Sequence, residues 1–146
     1  MPKRDYIPVA IKRQVIARAE SRYEYCQSPL NYAAQSFEFE HIFPKSLGGK
    51  PTLDNLALAC GGCNRHEYNG IESFDPMGES SVALFHPRPQ KWLDHFRWSR
   101  DYTHVIGLTP VGRASVEALK LNRPGVINLR RLLRMVGEHP PLGRKE

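Results

Sequence analysis

Near the start of the chain, apolar residues recur at helical spacing. In "YIPVAIKRQVIARAESR", Ile11, Val15, Ile16 and Ala19 fall on one stripe, and Pro8 suits the first turn. Lys12, Arg13 and Arg18 fall elsewhere on that helix surface, where they either face solvent or contact phosphate. The period then changes. "SFEFEHI" alternates apolar and polar residues as a strand does, and "LALA" reads as a second short strand able to pair with it as a hairpin. A long loop from Pro44 to Asn55 connects the two. After Cys63, "NRHEYNG" predicts a short helix closed by Gly70. Further on, "SVALFHP", "KWLDHFRWS" and "HVIGLT" read as short strands bounded by Pro and Gly. Thr109-Pro110 opens a helix as N-cap and first residue, and Asn122 is the expected cap of "PGVINLRRLLRMV", which stops at Gly137. Arg130, Arg131 and Arg134 are expected on the surface of that last helix. Trp92, Phe96 and Trp98 are either core or a base-stacking surface.

This order predicts an α+β fold and one domain over residues 1–146. Its strand-loop-strand-helix core covers about residues 23–70, an N-terminal helix precedes it, and a strand-plus-helices extension covers about 71–146. At 146 residues the chain can bury one real hydrophobic core. No apolar run reaches membrane-spanning length and the start lacks a signal peptide's apolar segment, so a cytoplasmic protein is expected, with no membrane partner. The three cysteines, two of them in "CGGC", point to metal or to thiols rather than to a disulfide framework. The net charge of +6 is unevenly spread: residues 36–86 hold seven acids against three Lys or Arg, a net of −4, which leaves +10 on the flanks. An acidic centre within basic wings suits a cation site inside a polyanion-binding surface, although runs of charge are also ordinary solvated faces.

The chemistry concentrates in "EHIFPKSLGG". Glu40 and His41 are adjacent at a strand end, so their side chains point to opposite faces. Asn64, at the start of the short helix, could meet Glu40. Two oxygen donors with water and phosphate oxygens suit a hard divalent cation such as Mg²⁺. His41 then remains available to take a proton from water near neutral pH. His66 and Glu67 lie beside this helix and are candidates for a further metal or phosphate contact, or for a solvated face. His86, His95, His104 and His139 show no partner pattern and read as surface or core histidines.

"EHIFPKSLGG" followed by "LDNLALACGGCN" resembles the HNH endonucleases, the ββα-metal or His-Me finger nucleases, in their bacterial form with Cys-x-x-Cys knuckles. The resemblance implies a ββα-metal core and metal-dependent hydrolysis of phosphodiester bonds in DNA, most simply double-stranded, with Mg²⁺ or Mn²⁺ at the site. By position it makes Glu40 and Asn64 metal ligands, His41 the general base, and Asn55 the residue that pins the loop and so orients the histidine. It also implies a structural zinc held by two knuckles. Here Cys60 and Cys63 form one pair, but of the other only Cys26 is present, because Tyr23 occupies the partner position. Either another ligand completes the zinc site or the knuckle holds no metal and Tyr23 packs with the thiols. Glu67 is a second departure, since relatives often carry Lys there. The alternative to an enzyme is a weak or inactive nucleic-acid-binding module on the same fold.

Overall fold

The computed structural model describes residues 6–32, 37–61, 71–78 and 80–141. The first helix, α1 (Val9–Arg18), follows Pro8, which stands at the N-cap in extended backbone. Its expected apolar stripe faces inward: Val15 and Ala19 are fully buried, and Ile11 and Ile16 pack against the core. The chain then turns back through Glu20 and Ser21, both left-handed.

Strand β1 (Phe37–His41) pairs antiparallel with β2 (Leu56–Cys60), placing His41 opposite Leu56 and Glu40 opposite Ala57. Every residue of β2 is buried, which explains why "LALAC" is apolar throughout rather than alternating. Its second edge is covered by Glu24. That residue's N–H donates to the Leu58 carbonyl at 2.9 Å, and its carboxylate accepts from the Leu58 N–H at 2.7 Å. One acidic residue thereby supplies the partners a third strand would offer. Helix α1 packs across β2 and the 3-10 turn that precedes it.

Beyond residue 70, two further antiparallel hairpins form. Strand β3 (Glu72–Phe74) pairs with β4 (Ser81–Ala83), and β5 (Phe96–Trp98) pairs with β6 (Val105–Gly107). The segment "KWLDH" is not the strand expected from sequence but a helical turn, α2 (Trp92–His95). A strand through residues 92–98 would align Trp92, Asp94, Phe96 and Trp98 on one face and carry a carboxylate into an aromatic cluster. The helical turn leaves Asp94 exposed and lets Trp92 pack on Phe96 and Trp98, with ring centroids 5.1 and 5.0 Å away. Trp92 and Phe96 are buried and Trp98 is half-buried, so these rings are core rather than a base-stacking surface.

Helix α3 (Pro110–Ala118) starts at Thr109, whose hydroxyl accepts from the Gly112 N–H at 3.0 Å, as the sequence suggests. Helix α4 (Pro124–Met135) begins differently. Its N-cap is Arg123, without a side-chain cap, and Pro124 removes one donor from the first turn. Asn122 instead brackets Val105, accepting from its N–H at 2.7 Å and donating to its carbonyl at 2.9 Å. The three arginines of α4 do not share one surface. Arg130 is 2% exposed and donates to the carbonyls of Thr103 and Leu121 at 2.8 and 2.7 Å, with its guanidinium 5.2 Å from the Trp98 ring centre. Those acceptors and the ring offset the cost of burying a cation. Arg134 is exposed but donates to the Asp101 carbonyl, and Arg131 is exposed beside Asn128.

The extension is tied to the hairpin core through polar contacts. Arg88 forms an ion pair with the buried carboxylate of Glu24, and the Trp92 indole N–H donates to the Tyr25 carbonyl at 2.9 Å. Within the extension, Arg113 grips Asp75 with two parallel hydrogen bonds of 2.9 and 2.8 Å. That grip holds the Asp75 carboxyl below its ordinary range and raises the arginine.

Candidate active site at the end of the hairpin

The end of β1 brings together the two residues that carry the expected chemistry. Alternation along the strand buries Glu40, at 5% exposure, and leaves its neighbour His41 half-buried. A buried carboxylate beside an imidazole is a combination that structural packing seldom requires, because the carboxylate must be compensated. Among the described residues no group of three or more His, Cys, Asp or Glu forms a metal-binding cluster. Asn64, His66 and Glu67, the other candidates for the metal, lie outside the described residues, as does the expected short helix.

The loop after His41 is fixed by Asn55. Its side-chain oxygen accepts from the Phe43 N–H at 2.8 Å, and its amide nitrogen donates to the carbonyls of Phe43 and Lys50 at 3.1 and 3.0 Å. Its own carbonyl accepts from the Ile42 N–H at 2.8 Å. Asn55 thus holds both residues that follow His41, and it ties the far side of the loop to them. An asparagine suits this place because it alone among side chains of its size offers an acceptor and two donors in one plane.

The two glycines make the turn possible. Gly48 has φ +98, which other residues rarely adopt. At Gly49 the reason is space: a Cβ there would lie 1.8 Å from the Phe43 carbonyl oxygen and 3.0 Å from the Asn55 amide nitrogen. Pro44 organises the intervening 3-10 turn (Lys45–Leu47), its carbonyl accepting from Leu47 and Gly49, each at 2.9 Å.

Arg18 takes part in a way that sequence reading does not show. It is exposed, as expected, and its guanidinium donates to the Leu53 carbonyl at 2.7 Å and the Leu56 carbonyl at 2.6 Å. Those carbonyls lie on either side of Asn55, in and just after the second 3-10 turn (Leu53–Asn55). Partial burial pulls the guanidinium below its ordinary pKa. The sequence signal available was only a basic residue in the last turn of a helix, which has many explanations.

The knuckle region is a tight loop in which Tyr23 through Pro29 are all buried. The Tyr23 N–H donates to the Ser28 carbonyl and its ring is 1% exposed. The sulfur of Cys26 lies 3.5 Å from the Ser28 hydroxyl, and Arg123 donates to the sulfur of Cys60 at 3.1 Å. Cys63 is outside the described residues. Tyr23 therefore places a buried aromatic ring in this loop, and the described residues of the expected knuckle supply two sulfurs, those of Cys26 and Cys60.

The remaining histidines have structural partners. His95 meets the Thr109 hydroxyl at 2.7 Å, His104 meets that of Thr103 at 2.7 Å, and the ring of His86 accepts from the Arg88 N–H at 3.1 Å. His139 is buried and contacts the Tyr102 carbonyl at 2.8 Å. Among the described residues, no helix is long and apolar enough to cross a membrane.

Residues 24–70 match the model of a protein family described as HNH endonuclease, a segment that spans about a third of the chain and contains Glu40, His41 and Asn55. No curated protein and no solved structure matches the chain significantly.

Proposed function

We propose that this HNH domain makes the chain a metal-dependent endonuclease that hydrolyses phosphodiester bonds in double-stranded DNA. The observation that most supports this reading is the end of β1: a buried carboxylate, Glu40, next to the half-buried imidazole of His41, with the backbone just beyond held by Asn55. In this reading His41 takes a proton from the attacking water, a role for which imidazole is matched near neutral pH. Asn55 keeps the strand end from shifting, so that the base and the bound phosphate stay in register. Glu40 fits a divalent metal because it is a buried oxygen donor, the type that Mg²⁺ and Mn²⁺ take. Asn64 would complete the protein's share of the ligands, with His66 and Glu67 as candidates for a further contact to metal or phosphate. When bound, such an ion supplies charge stabilisation at the leaving oxygen. The single domain spans residues 1–146 in this reading, and the basic flanks supply attraction for the DNA backbone.

The test is a plasmid-nicking assay with Mg²⁺ or Mn²⁺. Wild type should cleave, and His41→Ala should lose about 10²–10⁴ in rate while keeping its DNA affinity. Equal cleavage by the two proteins would remove His41 from the mechanism. Absence of cleavage by wild type, with DNA binding intact, would favour the second reading, a binding module without catalysis. The observation behind that second reading is the buried tyrosine in the knuckle.

A further inference from the structure

We infer that Arg18 is a positioning residue for the candidate site, an inference that rests on the nuclease reading for its catalytic part. The path is continuous. Arg18 holds the carbonyls of Leu53 and Leu56, at 2.7 and 2.6 Å. Between those two residues stands Asn55, whose side chain and carbonyl receive the N–H groups of Phe43 and Ile42, each at 2.8 Å. Ile42 follows His41 directly. One side chain on α1 thus fixes the turn that fixes the strand end.

The chemistry of the contact calls for arginine. Two carbonyls three residues apart in sequence, at the start of a 3-10 turn and the start of a strand, need two donors held at a set spacing. The planar guanidinium provides this, and an ammonium on a flexible stem does not. Arg18 thereby supplies N–H donors to the carbonyls of Leu53 and Leu56. The cation contributes positive potential beneath the loop, where phosphate would approach. Its donors, however, are directed into the protein, which separates Arg18 from a residue that grips DNA.

The experiment compares wild type, Arg18→Met, Arg18→Lys and Arg13→Met. Arg13 is exposed on the same helix and serves as the control for lost charge. Methionine keeps much of the stem and lysine keeps the charge. Three quantities are read: amide hydrogen exchange at Ile42, Phe43 and Leu58; kcat and KM for plasmid nicking; and DNA affinity without metal. Arg18→Met should raise exchange at Ile42 and Phe43 about tenfold or more relative to Leu58, whose N–H is held by Glu24 instead. Its kcat should fall about 10- to 100-fold, with KM and DNA affinity within about twofold of wild type. Arg18→Lys should stay closer to Arg18→Met than to wild type, and Arg13→Met should leave kcat unchanged. Should Arg18→Met fail to fold, Arg18→Lys carries the same comparison. Full activity and unchanged exchange in Arg18→Lys, or a loss in Arg18→Met confined to DNA affinity, would overturn the inference and make Arg18 a charge or phosphate contact. If wild type itself does not cleave, the nuclease reading fails. The exchange pattern still decides whether Arg18 positions the loop.

Discussion

Replacing Asn55 with aspartate changes one group and almost no volume, yet it should harm the loop more than truncation to alanine. In the native loop the amide nitrogen of Asn55 donates to two carbonyl oxygens, those of Phe43 at 3.1 Å and Lys50 at 3.0 Å. In Asn55→Asp a carboxylate oxygen would face both. Two favourable contacts become repulsive, while only the bond from the Phe43 N–H, now 2.8 Å, persists. Asn55→Ala loses all three side-chain hydrogen bonds, each worth about 0.5–1.5 kcal/mol net. Because the site is only half-buried, water can take over some of these, so a loss of about 2 kcal/mol is reasonable. For a chain of this size that lowers Tm by about 4–8 °C. The aspartate variant should lose more than alanine at neutral pH.

The pH dependence supplies the sharper test. Facing two carbonyls raises the carboxyl pKa of Asn55→Asp in the folded state, because only the protonated form can donate to one of them. A group with a raised folded pKa destabilises as pH climbs from its unfolded value through its folded one. The deficit of Asn55→Asp relative to wild type should therefore shrink toward pH 4 and grow toward pH 8, whereas that of Asn55→Ala should stay flat. Urea unfolding at several pH values measures this. An aspartate variant as stable as wild type at pH 8, or one whose deficit ignores pH, would refute the hydrogen-bond assignment on which the loop argument stands.

His139 gives a second pH signature. Burial against the Trp98 ring, then the nearby charges of Arg130, Arg22 and Arg134, lower its pKa from 6.5 to about 4, against a raising contribution from the Tyr102 carbonyl. For a depressed histidine the unfolded chain takes the proton first, so stability is complete above about pH 6.5 and declines as pH falls toward 4, by up to about 3 kcal/mol. His139→Gln should flatten this decline in urea titrations, and equal wild-type midpoints at pH 7 and pH 4.5 would contradict it; Asp101, held down to about 2 by the Thr103 and Ser99 hydroxyls, acts only at lower pH. In the knuckle, Tyr23→Cys should give a protein that purifies with about one zinc per chain and melts higher than wild type until a strong chelator is added. If its zinc content equals that of wild type, positions 23, 26, 60 and 63 do not form a four-thiolate set.

Much of this architecture was legible because the sequence repeats itself locally. The stripe of Ile11, Val15, Ile16 and Ala19 and the alternation in "FEFEH" each have a single structural answer, and α1 and β1 supply it. The loop chemistry was legible for another reason: a glycine pair and an asparagine carry backbone requirements that few residues meet. Local repetition says nothing of contacts between distant segments. Glu24 serving as a strand partner for Leu58, and Asn122 bracketing Val105, need the fold before they have meaning. Position 130 is intermediate. Val126 and Leu133, both buried, flank it at helical spacing, so the apolar stripe of α4 already placed Arg130 inward. The charge of the residue obscured what its position implied.

The arginines also change how the positive charge should be understood. Arg18, Arg22, Arg123, Arg130 and Arg134 donate to backbone carbonyls, and Arg88 and Arg113 pair with Glu24 and Asp75. Apart from the two ion pairs, these contacts do not neutralise the guanidinium; they only direct its N–H groups inward. Such residues still contribute to the field that draws a polyanion toward the surface, and that contribution weakens with salt. The N–H groups already held by carbonyls or carboxylates are not free for a phosphate, although an exposed guanidinium such as that of Arg134, which donates to the Asp101 carbonyl through one nitrogen, keeps others. In the nuclease reading, direct contacts then fall first to exposed cations such as Lys50, Lys91 and Arg100. Of these, Lys50 lies on the loop that Asn55 closes, its carbonyl accepting from the Asn55 amide. The same asparagine that steadies the strand end after His41 therefore also fixes the backbone from which, in the nuclease reading, an exposed lysine would reach toward a phosphate beside it.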